Sequence, residues 1–581
     1  MAEYDYIICG GGTSGCVVAG RLAEDPDVRI LVIEAGAHNR DLENVHMVGG
    51  WSKNFDGPND WNLVSEPLEH AGGRQVKLSR GRFLGGSSGC NGTLCVRGSK
   101  QDFDDWELPG WSGEEVFAAM RKAETFHAKS WFRADAEHGA DGPLHIEPHD
   151  LAPISKLLLE SFEDQGFPLD VDMFSHGERS HGCGHALRTH YRGVRTTGAD
   201  FVTNERHRPN VDVLVNTVVE KINFLQTTDG LQASTVDVVG PDATRQTIKA
   251  RREIIVSGGA YCTPAILMRS GIGPRAEVEK HGIVSLVDSP GVGQNLLDHL
   301  IVTVFYEVNQ KGLTNDAKAH HGDGLAKSYE QWKQNRTGFM SSFPFGAFAY
   351  ARLDERLNDD PLWQKAQKTA ASGRDPMGLT QNQPNVEFFS TECYGGAKHY
   401  TDFPVNGNHV FSLLTELFSP RSKGSVALKS NSPHDNPIID CNFLADPLDL
   451  LVLTEGVRLG NDIVMQGKGT KDIVKGSWPA HLSHHKFSTR EEWLPYVKND
   501  ATTCYHAAGT AKIGHADDKF AVLDEKLRVR GVQGLRVADC SIMPTLHGGH
   551  TQMVAYAIGE RCADFVKGDW GAGRERKTKM D

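Results

Sequence analysis

The sequence predicts an α/β protein, a Rossmann-like dinucleotide-binding domain joined to an α+β domain with an antiparallel sheet. Three observations predict it. The chain opens on a strand, a glycine turn, a helix and a second strand that ends in an acid. The same strand–glycine–helix grammar returns near residue 257, so the first domain is assembled from distant segments. Between residues 301 and 499 the pattern changes to separated apolar strands of an antiparallel sheet.

Taken in order, Asp5–Cys9 form the first strand. Gly10, Gly12 and Gly15 then fill a G-x-G-x-x-G spacing, and Glu34 follows 19 residues after Gly15, at the end of the strand Arg29–Ile33. The first glycine permits the turn and the second lets backbone approach a pyrophosphate. The third lets helix pack close to strand, with its N-terminus aimed at the negative charge. Glu34 is placed to accept from a ribose hydroxyl. This fingerprint does not separate NAD from FAD. Gly81–Asn91, with four glycines, two serines and an asparagine in all, reads as a backbone-lined loop. Ser112 is an N-cap with Glu115 three positions on. Val211–Val215, Val218–Phe224 and a short Ile254–Ser257 read as strands, the last running into Gly258 and Gly259. In the second region Val302–Val308, Val386–Ser390, His409–Leu417 and Ser425–Leu428 read as the sheet. Gly312–Ala326 reads as a long irregular lid or interface loop, with His320–Ala326 as a candidate homo-oligomer contact. Leu535–Asp539 is again a strand stopping at an acid, and Met553–Val566 is a terminal apolar-periodic helix.

At 581 residues the chain exceeds one compact core, so two domains are expected. Hydrophobic content of 39% and charge of 24% are those of an ordinary globular protein. A net charge of −13 with no basic stripe excludes a nucleic-acid partner, and the run Arg574–Lys579 reads as a solvated end. No run of 18 apolar residues occurs, so no membrane partner is expected. No charged and apolar leader precedes the first strand, and the last three residues are not a peroxisomal signal. Eleven cysteines without a C-x-x-C pair fit reduced thiols, and a cytoplasmic location is expected. The sequons at Asn91 and Asn335 carry no weight in that setting. No histidine or cysteine spacing matches a zinc or iron site, so no metal is expected.

Four blocks resemble the glucose–methanol–choline oxidoreductases: the N-terminal fingerprint with Glu34; Gly81-Arg82-x-Leu84-Gly85-Gly86-Ser87-Ser88-x-Cys90-Asn91; Gly259-Ala260-x-x-Thr263-Pro264 running to Gly273; and Tyr505-His506-x-x-Gly509-Thr510 followed by Asp539, Ser541, Pro544 and His550. Pro290–His299 is a further block typical of the group. The similarity spans nearly the whole chain, with the flavour of the intracellular alcohol-oxidase-like branch. It implies FAD as the cofactor. It implies an FAD domain from residues 1–155, 205–300 and 500–570, and a substrate domain from 156–204 and 301–499.

The resemblance also assigns roles. Gly10, Gly12, Thr13, Ser14, Gly15, Glu34, Ala35 and Arg82 would bind the nucleotide portion. Backbone around Gly85, Gly86, Ser87, Asn91, Gly92 and Thr93 would lie against the isoalloxazine and pyrophosphate. Val218 would hold the adenine, with plain strand core as the other reading. Asp539 would meet the ribityl or pyrophosphate region. Thr551, Gln552 and Met553 would bring the last helix to flavin N1. Cys90 replaces the usual aliphatic residue and Cys95 the usual aromatic one. A thioether from Cys90 to the ring is one reading, but the expectation is non-covalent FAD over a small buried thiol.

Alcohol oxidation needs a base near neutral pH, and histidine supplies it. The match puts His506 forward as that base and His550 as the group that orients the substrate oxygen. His547 is the lesser stand-in, and His484 and His485 read as solvated loop. Phe388, Phe389, Tyr394 and Phe418 are candidate pocket walls. The expected reaction is oxidation of a primary alcohol to an aldehyde, with hydride passing to flavin N5 and O2 reoxidising the flavin to give hydrogen peroxide. A quinone or other acceptor, making a dehydrogenase, and a hydroxynitrile-type lyase are the alternatives. Formate-oxidising relatives place an arginine at the second catalytic position, and His550 argues against that chemistry.

Overall fold

The computed structural model describes residues 2–132, 137–203, 208–395 and 407–578, with side chains to residue 571. The side chains of the basic run from Arg574 and the final three residues therefore lie outside it.

The first sheet has eight strands. Its path runs Val211–Leu214, Ile30–Ile33, Glu3–Cys9, Arg245–Val256, Gly230–Val239 and Val218–Thr227. The first four are mutually parallel, and Leu535–Val537 joins them parallel to Arg245–Val256. The last two are antiparallel. Ile30–Ile33 is buried throughout, as expected of a parallel strand covered on both faces. The helix Thr13–Leu22 packs on this sheet, and Thr551–Thr578 packs against that helix. A Cβ at Gly559 would lie 2.6 Å from Val17 Cβ, so only glycine allows the two helices so close.

The second sheet has seven strands, ordered Val474–Ser477, Leu300–Val308, Val410–Leu417, Val386–Thr391, Phe345–Ala351 and Gly182–Gly184, with Thr502–Thr503 on the free end of Leu300–Val308. All its pairings are antiparallel. The helix Pro447–Gln466 covers one face. Gly456 and Gly460 let it approach, since a Cβ there would meet Thr415 at 2.9 Å and Phe388 at 3.1 Å. Each sheet has its own apolar core.

Several expectations are corrected. Ile254–Ser257 is only the buried end of the twelve-residue strand Arg245–Val256, whose first half alternates outward as RQTIKARR and hides its apolar signal. Ser425–Ala427 leaves the large sheet and pairs with Ile438–Asp440. Phe345–Ala351, rich in small residues, was not read as a strand although it sits inside the sheet. Gly312–Ala326 is not irregular, because it contains the helix Asp316–Ala319 and the start of Gly324–Asn335. His484 is not solvated. It is fully buried with Nε2 2.8 Å from Phe305 O, and His485 Nδ1 accepts from Ser477 N at 3.0 Å.

Candidate active site

One continuous cavity runs from the glycine turn, past the loop 86–92, to His506 and His550. At its first end the three fingerprint glycines do different work. Gly10 has φ +116°, and a Cβ there would lie 2.3 Å from Ser257 O. A Cβ on Gly15 would lie 2.1 Å from Gly10 O. These two glycines close the turn. A Cβ on Gly12 would meet nothing nearer than 3.9 Å, because this residue borders the cavity. The helix it caps has no side-chain cap, so its first amides are left for an anion. Glu34 accepts from Gly11 N at 3.1 Å and Gly36 N at 2.8 Å. Burial pushes its carboxyl upward against those two amides.

Of the predicted cofactor residues, Gly10, Gly12, Thr13, Ser14, Glu34, Ala35, Gly86, Ser87, Asn91, Gly92, Val218, Asp539, Thr551 and Gln552 line the cavity. Five stand behind it. Gly15 is spent on the turn. Arg82 carries its guanidinium over the Trp61 ring at 5.4 Å, while its carbonyl leaves no room for a Cβ on Gly36. Gly85 N donates to Gly11 O at 2.7 Å, stapling the loop to the fingerprint. Thr93 is fully buried with φ +66°, and Met553 is buried in the core. Asp539 is held by the start of the helix Gly259–Arg269, accepting from Gly259 N at 2.9 Å and Thr263 Oγ1 at 2.6 Å. Cys90 borders the cavity, and burial pushes its thiol up to about 11, the protonated state of a packing residue.

A cleft with uncapped helix amides, a Cβ-free floor at Gly12, Gly86 and Gly92, and a buried acid at one end suits a dinucleotide. Its far end, where His506 and His550 face the aromatic walls Phe343, Phe345 and Phe389, suits the ring of a flavin.

At that far end two strands of the second sheet deliver buried acids. His506 Nδ1 lies 3.0 Å from Glu416 Oε1, and His299 Nδ1 lies 2.9 Å from the same oxygen. His550 Nε2 lies 2.7 Å from Glu387 Oε2 and 3.6 Å from Glu416 Oε2. Cys504 donates to Glu416 Oε2 at 3.2 Å, and Asp298 accepts from His506 N at 2.7 Å. Burial pushes His506 down to about 3 despite Glu416 beside it, so it is neutral. Burial also acts against a charge on His550, but Glu387 and Glu416 outweigh it and raise its pKa. Burial likewise opposes ionisation of Glu416, and His550, His506 and His299 overcome it, holding the carboxyl well below the usual range. Two histidines 4.7 Å apart, centroid to centroid, are thus driven in opposite directions.

The sequence reading missed Glu387 and Glu416. The available signal was a lone acid in otherwise apolar strands, VEFFST and VFSLLTEL. Ligand atoms of Glu416, Cys504, His506 and His550 lie within 4.8 Å of one another, a cluster that no sequence spacing could display. His547 is not a stand-in: it is buried against Phe103 with Nε2 3.3 Å from His550 O and does not reach the cavity. Of the four proposed aromatic walls only Phe389 lines the site. Phe388 packs at a tilt against Phe162 and Phe418 against His299, while Tyr394 stacks on Phe305. Phe343, Phe345 and Trp51 supply the wall instead.

The glycine turn on a mostly parallel sheet, joined to an antiparallel sheet whose buried acids hold His506 and His550, defines a flavin-dependent oxidoreductase of CH–OH groups. GMC oxidoreductase models match residues 4–301 and 420–559. Dehydrogenase pkfF of Emericella nidulans is 31% identical over 97% of this chain and 93% of its own. Pyranose dehydrogenase 3 of Leucoagaricus meleagris is 31% identical at the same coverage. A structure of Aspergillus oryzae formate oxidase superimposes with a TM-score of 0.91 at 31% identity, covering 98% of both chains. The chain belongs to the GMC oxidoreductase family, and its cofactor is FAD.

Proposed function

We propose that this protein oxidises a primary alcohol to an aldehyde, with His506 as the base and O2 as the final acceptor, yielding hydrogen peroxide. The observation that carries the reading is the division of labour between His506 and His550. With Nδ1–H given to Glu416, His506 keeps an unprotonated Nε2, and that nitrogen is engaged by no described residue. It takes the hydroxyl proton of the alcohol. His550, tied through Nε2 to Glu387, has Nδ1 for a hydrogen bond to the substrate oxygen. Glu416 then faces the imidazolium that His506 becomes, so the proton is received beside a buried anion. FAD, when bound, accepts the hydride at N5. The walls formed by Phe343, Phe345 and Phe389 exclude water and favour an apolar or aromatic alcohol.

A second reading comes from the formate oxidase likeness, with formate in place of the alcohol. The names of other relatives support a dehydrogenase using a different acceptor. One experiment separates all three. The holoprotein is mixed anaerobically with aliphatic alcohols, benzyl-type alcohols and formate while flavin absorbance is followed, and air is then admitted. Bleaching by an alcohol and fast reoxidation with stoichiometric peroxide is the expected result. Bleaching by formate alone, or reoxidation over many minutes, overturns the alcohol oxidase reading.

A further inference from the structure

Behind the loop that lines the middle of the cavity lies an arginine to which neither the sequence reading nor the reaction assigned a part. Arg195 is 2% exposed. Its Nη1 donates to Asn91 O at 2.9 Å, Asn91 Oδ1 at 2.8 Å and Ser88 O at 3.4 Å. Nε and Nη2 have no hydrogen-bond partner among the described residues. No carboxylate pairs with it there. The titratable groups that bear on it are the Cys90 thiol and the Tyr556 phenol, both neutral. Burial lowers its pKa only to about 10, so it is a cation at neutral pH. A buried, hydrogen-bond-deficient cation without a counter-ion is costly, and such a charge persists where something else compensates it.

Arg188, another buried arginine of this region, also leaves Nε without a partner among the described residues, but acids bear on it. Arg188 bonds two backbone carbonyls, and its surroundings include Glu387 and Glu392. Arg195 instead touches the cavity wall itself. Asn91 lines the cavity, and its Oδ1 is held by Arg195 and by Thr93 N at 3.0 Å. The amide is therefore oriented with Nδ2 as donor, directed to Gln552 Oε1, another lining residue.

We propose that Arg195 is the resident counter-charge of the reduced flavin. Hydride transfer brings two electrons and one proton to a neutral ring, so the ring gains one negative charge. The cation set behind Asn91 stabilises that charge from within the protein, in a site where screening by water is weak. Arg195 does not line the cavity; it acts through its field and through Asn91. The inference rests on the cofactor and not on the role of His506.

Two measurements on the FAD-loaded protein, neither using an alcohol, test it: the dissociation constant of sulfite, whose adduct places the same charge on the ring, and the two-electron midpoint potential. Arg195→Gln should weaken sulfite roughly tenfold to hundredfold. Its potential should fall by about 30 mV for each factor of ten. Arg195→Lys, which keeps the charge but not the fork on Asn91, should stay within about threefold of wild type. Unchanged constants in Arg195→Gln overturn the proposal. So do equal losses in both variants, which would assign the effect to Asn91 placement. If Arg195→Gln does not retain FAD, wild type and Arg195→Lys decide: a wild type that binds no sulfite, or a lysine variant that loses it, overturns the proposal.

Discussion

At the scale of single residues, the site is built on unequal treatment of similar groups. His506 and His550 are neighbours, yet only His550 has acids strong enough in position to outweigh burial. His506→Ala should therefore leave FAD bound and slow flavin reduction by about 10²–10⁴-fold, the usual loss for a positioned base, as read by anaerobic stopped flow. A loss of only a few-fold would remove His506 from that role. The pH dependence follows with a definite sign. A base is active when unprotonated, and burial holds His506 down to about 3. Lowering pH from 8 to about 5 should leave the reduction rate flat, where an ordinary histidine would be half protonated near 6.5 and would have lost most of the rate by about 5. An acid limb at 6–7 that persists when His550 is replaced by glutamine would show that His506 is not desolvated in the working enzyme. Glu416→Gln keeps an acceptor for Nδ1–H but removes the anion facing the imidazolium. It should slow reduction roughly 10-fold to 10³-fold with little change in alcohol affinity, by analogy with the acid that orients a histidine base.

At the scale of elements, the strand–turn–helix unit separates folding from binding within six residues. A methyl on Gly15 would meet backbone, Gly10 O, at 2.1 Å, whereas a methyl on Gly12 would project into the cavity with its nearest neighbour at 3.9 Å. Gly15→Ala should thus yield insoluble or misfolded protein. Gly12→Ala should fold with an unchanged circular dichroism spectrum and a poorly retained, easily dialysed FAD. Equal behaviour of the two would refute the division. The fingerprint was legible because it is local: strand, glycines, helix and acid are all set by neighbours in the chain, and the Ser112 cap with Glu115 closes as a capping box for the same reason. The acids of the site were not legible. Glu387 and Glu416 sit in strands whose remaining residues are core, and their partners His550 and His506 lie 163 and 90 residues away. Pairing of that kind is decided by sheet register, which places Glu387 directly opposite Glu416. Strand Phe345–Ala351 escaped because Gly and Ala weaken the apolar pattern that marks a strand, while its burial comes entirely from neighbours.

At the scale of the whole molecule, the cavity lies where the two cores meet, and its walls come from both. The first sheet contributes the glycine turn, Glu34 and Val218, and the second contributes the strand residues Phe345, Phe389 and Leu414. A ligand that touches both layers stabilises the arrangement in which they are together and has no equivalent site in the unfolded chain. At a free FAD concentration of 100 times the dissociation constant, that linkage amounts to about 2.7 kcal/mol. For cooperative units of roughly 150–250 residues this corresponds to a rise in Tm of about 5–10 °C. Holoprotein and FAD-stripped protein compared by differential scanning calorimetry should differ by that amount. The gap should widen with added free FAD and be restored on reloading. Bound FAD would cover Asn91 and Gln552 with one part and the first amides of the helix Thr13–Leu22 with another, so amide hydrogen exchange around residues 10–16 and 86–93 should slow most on reloading. If FAD shifts only one of two resolved transitions, the cofactor is bound by one layer alone, and the cavity is not the bridge between sheets that its lining describes.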